Sequence, residues 1–143
     1  MKIKFAIIPV LVFLAGNTIN AQETLNPFTL KDGTNTISLP GNNTVEFNFK
    51  GHYFSNFVFH DASGTDHPLK TSRGIVNNTP KPSCRADQEQ VAYASYQKDI
   101  GVYICMAKYT PNNGTVYTEF DMTVDMPGTG NNHNRRVEVK LSK

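Results

Sequence analysis

The sequence predicts an all-β fold of about eight antiparallel strands, forming a β-sandwich or jelly roll with one disulfide. Apolar and polar residues alternate in many short segments, a period of two that is typical of half-buried strands. Residues that favour tight turns separate these segments, and no segment has the 3.6-residue apolar period of an amphipathic helix. Short strands separated by turns indicate two packed sheets.

Eight segments carry the strand pattern. In the clearest of them, Val45, Phe47 and Phe49 share one face of a short strand. The predicted strands cover residues 28–30, 36–39, 44–49, 56–60, 91–96, 102–109, 116–124 and 137–141.

Turn residues lie between these segments. Asn113-Gly114 is the strongest hairpin signal because both residues tolerate positive φ. The stretch 66–88 contains three prolines and little alternation. We therefore expect a long surface connection there, anchored by Cys84.

The first 21 residues have the pattern of a secretory signal peptide. Lys2 and Lys4 precede an apolar run that extends from Phe5 to Ala15, and a polar segment then leads to Ala21. This run is shorter than the roughly 20 residues of a membrane-spanning helix. We expect cleavage after Ala21 and one exported domain over 22–143, in the periplasm or outside the cell.

Removing residues 1–21 also changes the charge balance. Lysine plus arginine falls from 14 to 12, while aspartate plus glutamate stays at 12. A net charge near zero argues against nucleic acid and anionic membranes as partners. The sequence carries no indication of the oligomeric state.

The two cysteines, Cys84 and Cys105, are expected to pair, because an exported chain passes through oxidising compartments. Closing a loop of about 20 residues stabilises a fold by roughly 3 kcal/mol in the chain-entropy model.

The run Asp99-Ile100-Gly101-Val102-Tyr103-Ile104-Cys105 resembles the tyrosine corner at the start of strand F in immunoglobulin domains. The partner cysteine is too near in sequence for an immunoglobulin domain, and the chain has no tryptophan. We interpret the run as a corner-like turn in another Greek-key sandwich.

The segment 98–125 also resembles the C-terminal part of bacterial pre-peptidase C-terminal-like domains, and within them the periplasmic lysozyme inhibitors. Those inhibitors insert a Ser-Gly-x-Tyr loop into the lysozyme cleft. Gly101 and Tyr103 match that loop, whereas Ile100 stands where the serine would be. The resemblance implies a partner-binding turn made of Lys98, Asp99, Ile100, Gly101 and Tyr103.

We therefore expect a protein that binds a protein partner, such as a lysozyme or a muramidase toxin, and inserts a rigid turn into its cleft. A rigid turn lowers the entropic cost of docking. The alternatives are a carbohydrate-binding or adhesive module, which predicts an exposed strip of tyrosines, and a secreted effector or toxin. The purely structural interpretation of Tyr103 is a ring packed under its own corner.

No enzyme and no cofactor are predicted. The chain has no Gly-x-Ser-x-Gly elbow, and its acidic residues are spread over separate strands. His60-Asp61 and Asp66-His67 flank a turn and offer donors that zinc accepts, but their spacing matches no dedicated motif. Three Asn-x-Ser/Thr sequons are glycosylation sites only in a eukaryotic secretory pathway, and they begin at Asn42, Asn77 and Asn113.

Overall fold

The computed structural model describes residues 22–51, 53–72, 84–97, 99–107, 119–128 and 134–143. Within these ranges the chain forms ten β-strands and no helix. The strands are β1 (Gln22–Thr29), β2 (Gly33–Leu39), β3 (Asn43–Lys50), β4 (Tyr53–His60), β5 (Asp66–Pro68), β6 (Lys70–Ser72), β7 (Gln88–Tyr96), β8 (Ile100–Ala107), β9 (Glu119–Pro127) and β10 (Asn134–Ser142). A search of the same ranges for a helix long and apolar enough to cross a membrane finds none.

The strands form two sheets. The six-stranded sheet has the order β1-β10-β9-β8-β7-β6, and the four-stranded sheet has the order β2-β3-β4-β5. The described pairs are antiparallel, apart from β1, which runs parallel to β10. From β2 to β5 and from β6 to β10 the order follows the chain, so the Greek-key order expected from residues 99–105 is not found among the described strands.

The inner faces of the two sheets form one apolar core. Val45, Phe47 and Phe49 of β3 alternate inward and are fully buried. The ring of Phe120 on β9 lies 6.0 Å from the Phe49 ring and 5.3 Å from the Phe54 ring, both in edge-on geometry. These aromatic contacts join the four-stranded sheet to the six-stranded sheet.

Three turns lie at the same end of the sandwich. Nδ2 of Asn43, the first residue of β3, is 3.9 Å from Sδ of Met126 near the end of β9. The His67 ring on β5 lies 5.1 Å from the ring of Tyr96, the last residue of β7. The β2–β3 and β4–β5 turns therefore adjoin the β7–β8 turn.

The predicted all-β sandwich with one disulfide is confirmed. Each of the eight predicted segments overlaps a strand. The long surface connection expected over 66–88 is wrong in part, because β5 and β6 lie within it and Leu69 between them is buried. Strands of three residues are too short to show an alternation in the sequence.

Several predictions fall outside the described residues. These are the signal peptide over 1–21, the Asn113-Gly114 turn and the sequons at Asn77 and Asn113. The sequon at Asn42 is described, and Asn42 has a φ of 61° in the turn between β2 and β3.

Candidate partner-binding site

The turn predicted to bind a partner connects β7 to β8. Tyr96 ends β7 and pairs with Ile100 at the start of β8. Gln97 has a φ of 53°, in the left-handed region, which reverses the chain within three residues. Gln97 and Asp99 are exposed, and Lys98 between them lies outside the described residues.

Ile100 fastens the base of this turn. Its side chain is 5% exposed and belongs to the core, and Tyr96, its cross-strand partner, packs partly buried against the same core. The turn is therefore anchored by apolar packing directly beneath its tip. Ile100 itself is not presented to a partner.

Tyr103 lies on the outer face of the six-stranded sheet, and its ring leans back over Gly101. A Cβ atom added at Gly101 would lie 2.9 Å from Cε2 and 3.0 Å from the hydroxyl oxygen of Tyr103. Only glycine leaves room for the ring at this position, since real Cβ atoms do not come so close to another carbon. The ring is 7% exposed, so it does not project from the turn.

A second tyrosine covers Tyr103 from the neighbouring strand. Tyr93 pairs with Tyr103 across β7 and β8, and their ring centroids are 4.8 Å apart. Desolvation, the neighbouring Tyr93 and the charge of Asp125 raise the pKa of Tyr103 to about 12, against the opposing effect of Arg136. The Tyr103 hydroxyl is therefore neutral throughout the physiological range.

Arg136 and Asp125 form an ion pair beside the two tyrosines. Nε of Arg136 donates to Oδ1 of Asp125 at 2.9 Å, and the second guanidinium nitrogen donates to Oδ2 at 3.3 Å. This two-point contact raises the pKa of Arg136. Because Asp125 pairs with Gly101 in the β8–β9 register, the ion pair flanks the strand that leaves the turn.

The disulfide restrains β8 further along the strand, at Cys105. Cys84 and Cys105 are bonded, with their Cα atoms 5.6 Å apart, as the sequence predicted. Cys105 lies two residues beyond Tyr103 and shares its outer face, because alternate strand residues point the same way. Nε2 of Gln88 donates to Oδ2 of Asp121, which ties the segment after Cys84 to β9.

The structure thus separates the four described residues of the predicted turn. Asp99 is exposed at the tip, whereas Ile100, Gly101 and Tyr103 are buried and support the turn from below. The Tyr103 ring packs against Gly101 and Tyr93, which is the geometry of the purely structural interpretation of this residue. The sequence singled out the Gly101-x-Tyr103 pattern, but it gave no signal for the ion pair, whose members come from β9 and β10.

The neighbouring β4–β5 turn is built differently. Oδ1 of Asp61 accepts hydrogen bonds from the backbone and hydroxyl of Ser63 at 2.9 and 2.5 Å and from the backbone N–H of Thr65 at 3.0 Å. Oδ2 of Asp61 lies 2.8 Å from Nε2 of His67. The hydroxyl of Ser63, together with His67 and Thr65, holds the pKa of Asp61 well below its usual range.

The histidines and acids considered for zinc do not converge. Nδ1 of His60 lies 2.6 Å from Oδ1 of Asp66, and His67 bonds to Asp61. His60 pairs with Asp66 in the β4–β5 register, and neighbouring residues in a strand point to opposite faces, so the two pairs lie on opposite sides of the sheet. Within the described ranges no group of three or more metal-ligating side chains is found.

The described aromatic residues do not form the strip expected of a glycan-binding module. Among the described residues Tyr53 is the one large hydrophobic side chain that is largely exposed, at 82%. Tyr93 and Tyr103 cover each other, and Tyr96 packs against the core.

Comparison with protein-family models, with curated proteins and with solved structures found no match to this chain.

Proposed function

We propose that this chain is an exported binding protein that docks the tip of its β7–β8 turn, residues 97–99, into the cleft of a protein partner. The proposal rests on the different positions of the supporting residues and the tip residues of this hairpin. Buried groups hold the turn from below, and the side chains of Gln97 and Asp99 at its tip remain exposed.

The support of the turn explains why such a tip is suited to docking. Ile100 packs into the core, Tyr103 packs on Gly101, and the disulfide to Cys84 restrains the same strand. A segment that is already ordered loses little conformational entropy on binding. Little of the binding free energy is therefore needed to order the tip.

A cell-wall hydrolase is the partner class that we propose, as the resemblance of Gly101-x-Tyr103 to the lysozyme inhibitors implies. Glycan hydrolases have paired carboxyl groups in an open cleft. Lys98 would interact with such carboxylates, and Asp99 and Gln97 offer further hydrogen-bonding groups. Tyr103 then acts as a positioning residue that keeps the turn in shape.

The test is an inhibition assay with purified residues 22–143 against c-, g- and i-type lysozymes and a bacterial muramidase. A Lys98→Ala/Asp99→Ala variant removes one charge of each sign from the tip. We expect inhibition by the wild type and at least about tenfold weaker inhibition by this variant, which corresponds to a loss of about 1.4 kcal/mol.

The matched control removes a charge pair at the opposite end of the same sheet. Nζ of Lys140 lies 3.5 Å from Oε2 of Glu119, and both side chains are exposed. A Lys140→Ala/Glu119→Ala variant should inhibit as the wild type does. The proposal is contradicted if the wild type inhibits none of these enzymes, or if the tip variant inhibits as strongly as the control.

A further inference from the structure

The four edges of the two described sheets differ in how they are protected against pairing with another chain. An edge strand offers unpaired backbone N–H and C=O groups, and proteins block such edges with short strands, charges, prolines or bulges. In the described part of the chain the edges are β1, β6, β2 and β5.

Three of these edges carry blocking features. β1 contains Pro27 and a register shift between Leu25 and Phe28. β5 has only three residues, of which one is Asp66 and the last is Pro68, and β6 has three residues that begin with Lys70.

β2 carries none of these features. It has seven residues, Gly33-Thr34-Asn35-Thr36-Ile37-Ser38-Leu39, with no charged residue and no proline. It pairs with β3 without a register shift from Gly33 opposite Phe49 to Leu39 opposite Asn43. Its outer side has no neighbouring strand among the described residues. From this contrast we infer that β2 is an interaction edge and that it pairs antiparallel with β2 of a second copy of this chain.

The side chains of β2 are complementary to themselves in such a pair. Thr34, Thr36 and Ser38 are exposed on one face, and threonine and serine pairs stabilise antiparallel strands when they lie opposite each other. Ile37 and Leu39 point inward and are already buried in the core of their own chain, so the new strand pair exposes no apolar side chain. A two-fold axis at Thr36 places Thr36 opposite its equivalent and Thr34 opposite Ser38, while on the inward face Ile37 lies opposite Asn35.

Charge does not oppose this arrangement. The acidic side chain opposite the centre of β2 is that of Glu46, which pairs with Thr36, and Asp32 before the strand lies 3.8 Å from Nζ of Lys143. In the pair the two Glu46 strands would be three strand spacings apart, about 14 Å. Exposed charges at that separation are largely screened at physiological ionic strength.

The one buried polar side chain of β2 is already satisfied within its own chain. Asn35 accepts from the backbone N–H of Lys31 at 3.0 Å and donates to the carbonyls of Lys31 and Gly33 at 2.8 and 3.0 Å. Pairing through β2 therefore leaves no inward polar group without a partner.

A β2-linked pair also leaves the proposed docking turn open. β4, the third strand of its sheet, contacts β6 and β7 of the opposite sheet, whereas β2 lies two strands further along. The end of β7 thus lies against the β5 side of the smaller sheet, away from the outer side of β2, although the β2–β3 turn reaches the same end of the sandwich. A dimer would present two docking tips, and the dimer inference stands or falls independently of what the tips bind.

The test is sedimentation velocity of purified residues 22–143 over a concentration series. We expect a reversible monomer–dimer equilibrium. Thr36→Lys places a charge at the centre of the edge and should raise the dissociation constant at least tenfold. The control is Thr44→Lys, which adds the same charge to the same face of β3, one strand away from the edge, and should leave the equilibrium unchanged.

A protein that stays monomeric over the whole series would overturn the inference, and so would equal effects of the two lysine variants. If Thr36→Lys does not fold, Ser38→Lys replaces it, and hydrogen exchange of the wild type gives a second measurement. Exchange of the β2 amides should slow as the concentration rises. Slowing that appears only when a different protein is added would show that β2 binds a foreign strand, which contradicts pairing with a second copy.

Discussion

The β7–β8 and β4–β5 turns lie side by side at one end of the sandwich, but different groups hold them. The β7–β8 turn is held from outside its tip, by Ile100 in the core, by the Tyr103 ring and by the disulfide. The β4–β5 turn is held from within, by one carboxylate, that of Asp61, which accepts hydrogen bonds from its own loop.

This difference determines what each turn offers to a partner. In the β4–β5 turn the polar groups are already used, because Ser63, Thr65 and His67 all bond to Asp61. In the β7–β8 turn the side chains of Gln97 and Asp99 are exposed, and the supporting groups lie outside the tip. Support placed outside a tip leaves the tip's side chains free to contact another molecule, which is why we propose the β7–β8 turn as the docking site.

Removing the disulfide should have the largest effect on this comparison. A Cys84→Ser/Cys105→Ser variant loses roughly 3 kcal/mol of unfolding free energy, since a loop of about 20 residues is no longer closed in the unfolded state. Urea denaturation measures the loss. An unchanged denaturation midpoint would show that the disulfide does not stabilise the β7–β8 side of the sandwich.

A substitution that adds a side chain at Gly101 should have the second largest effect on stability. A Gly101→Ala variant brings Cβ to 2.9 Å from the Tyr103 ring, so the ring must move, at a cost of about 1–3 kcal/mol. In a Tyr103→Ala background the same substitution should cost much less, because the ring is gone. Equal costs in the two backgrounds would mean that the ring does not rest on Gly101.

Substitution of Asp61 should destabilise the β4–β5 turn, and the size of this effect should depend on pH. The folded protein lowers the pKa of Asp61 from its ordinary value of 3.8, so its stabilising effect is present above that pH and is lost as the pH falls below it. Asp61→Asn should therefore lower the melting temperature at neutral pH, and the gap to the wild type should close in acid.

Asp32→Asn serves as the control for this experiment, because Asp32 is an exposed residue 3.8 Å from Lys143 and bonds to no turn backbone. Its gap to the wild type should be small at every pH. A gap for Asp61→Asn that widens as the pH falls would contradict the role given to this carboxylate.

Ionisation of Tyr103 should have the smallest effect on stability near neutral pH, because Tyr103 ionises only at much higher pH. Its pKa is raised from 10.0 to about 12, so the stabilisation is complete below pH 10 and decreases as the pH rises towards 12. Ultraviolet absorbance of tyrosinate should show a late-titrating component in the wild type that is lost in Tyr103→Phe. An unchanged late component in the variant would assign it to another tyrosine.

The sequence was sufficient for most of the fold. The alternation of Val45, Phe47 and Phe49 predicts β3 directly, because a sheet with one buried face imposes a period of two. β5 and β6 were missed because three residues do not establish a period. The pairing of Cys84 with Cys105 was predicted from the secretory signal pattern of the sequence and is present.

The candidate site was less accessible from the sequence. Gly101 and Tyr103 were recognised as a pair, but whether the ring projects or folds back depends on Tyr93, Asp125 and Arg136, which are distant in sequence. The separation of His60 from His67 likewise depends on the β4–β5 register. Contacts between strands that are far apart in the chain have no local signature.

The most direct test of the central claim is the backbone order of the β7–β8 turn, measured by NMR relaxation in the absence of any partner. We predict order parameters of about 0.85 for Gln97 and Asp99, the value of rigid backbone. They should fall in the Cys84→Ser/Cys105→Ser variant, whereas those of 62–65 should not change, because Asp61 holds that turn. Order parameters below about 0.6 at Gln97 and Asp99 in the disulfide-bonded protein would contradict a docking tip that is held rigid before it binds.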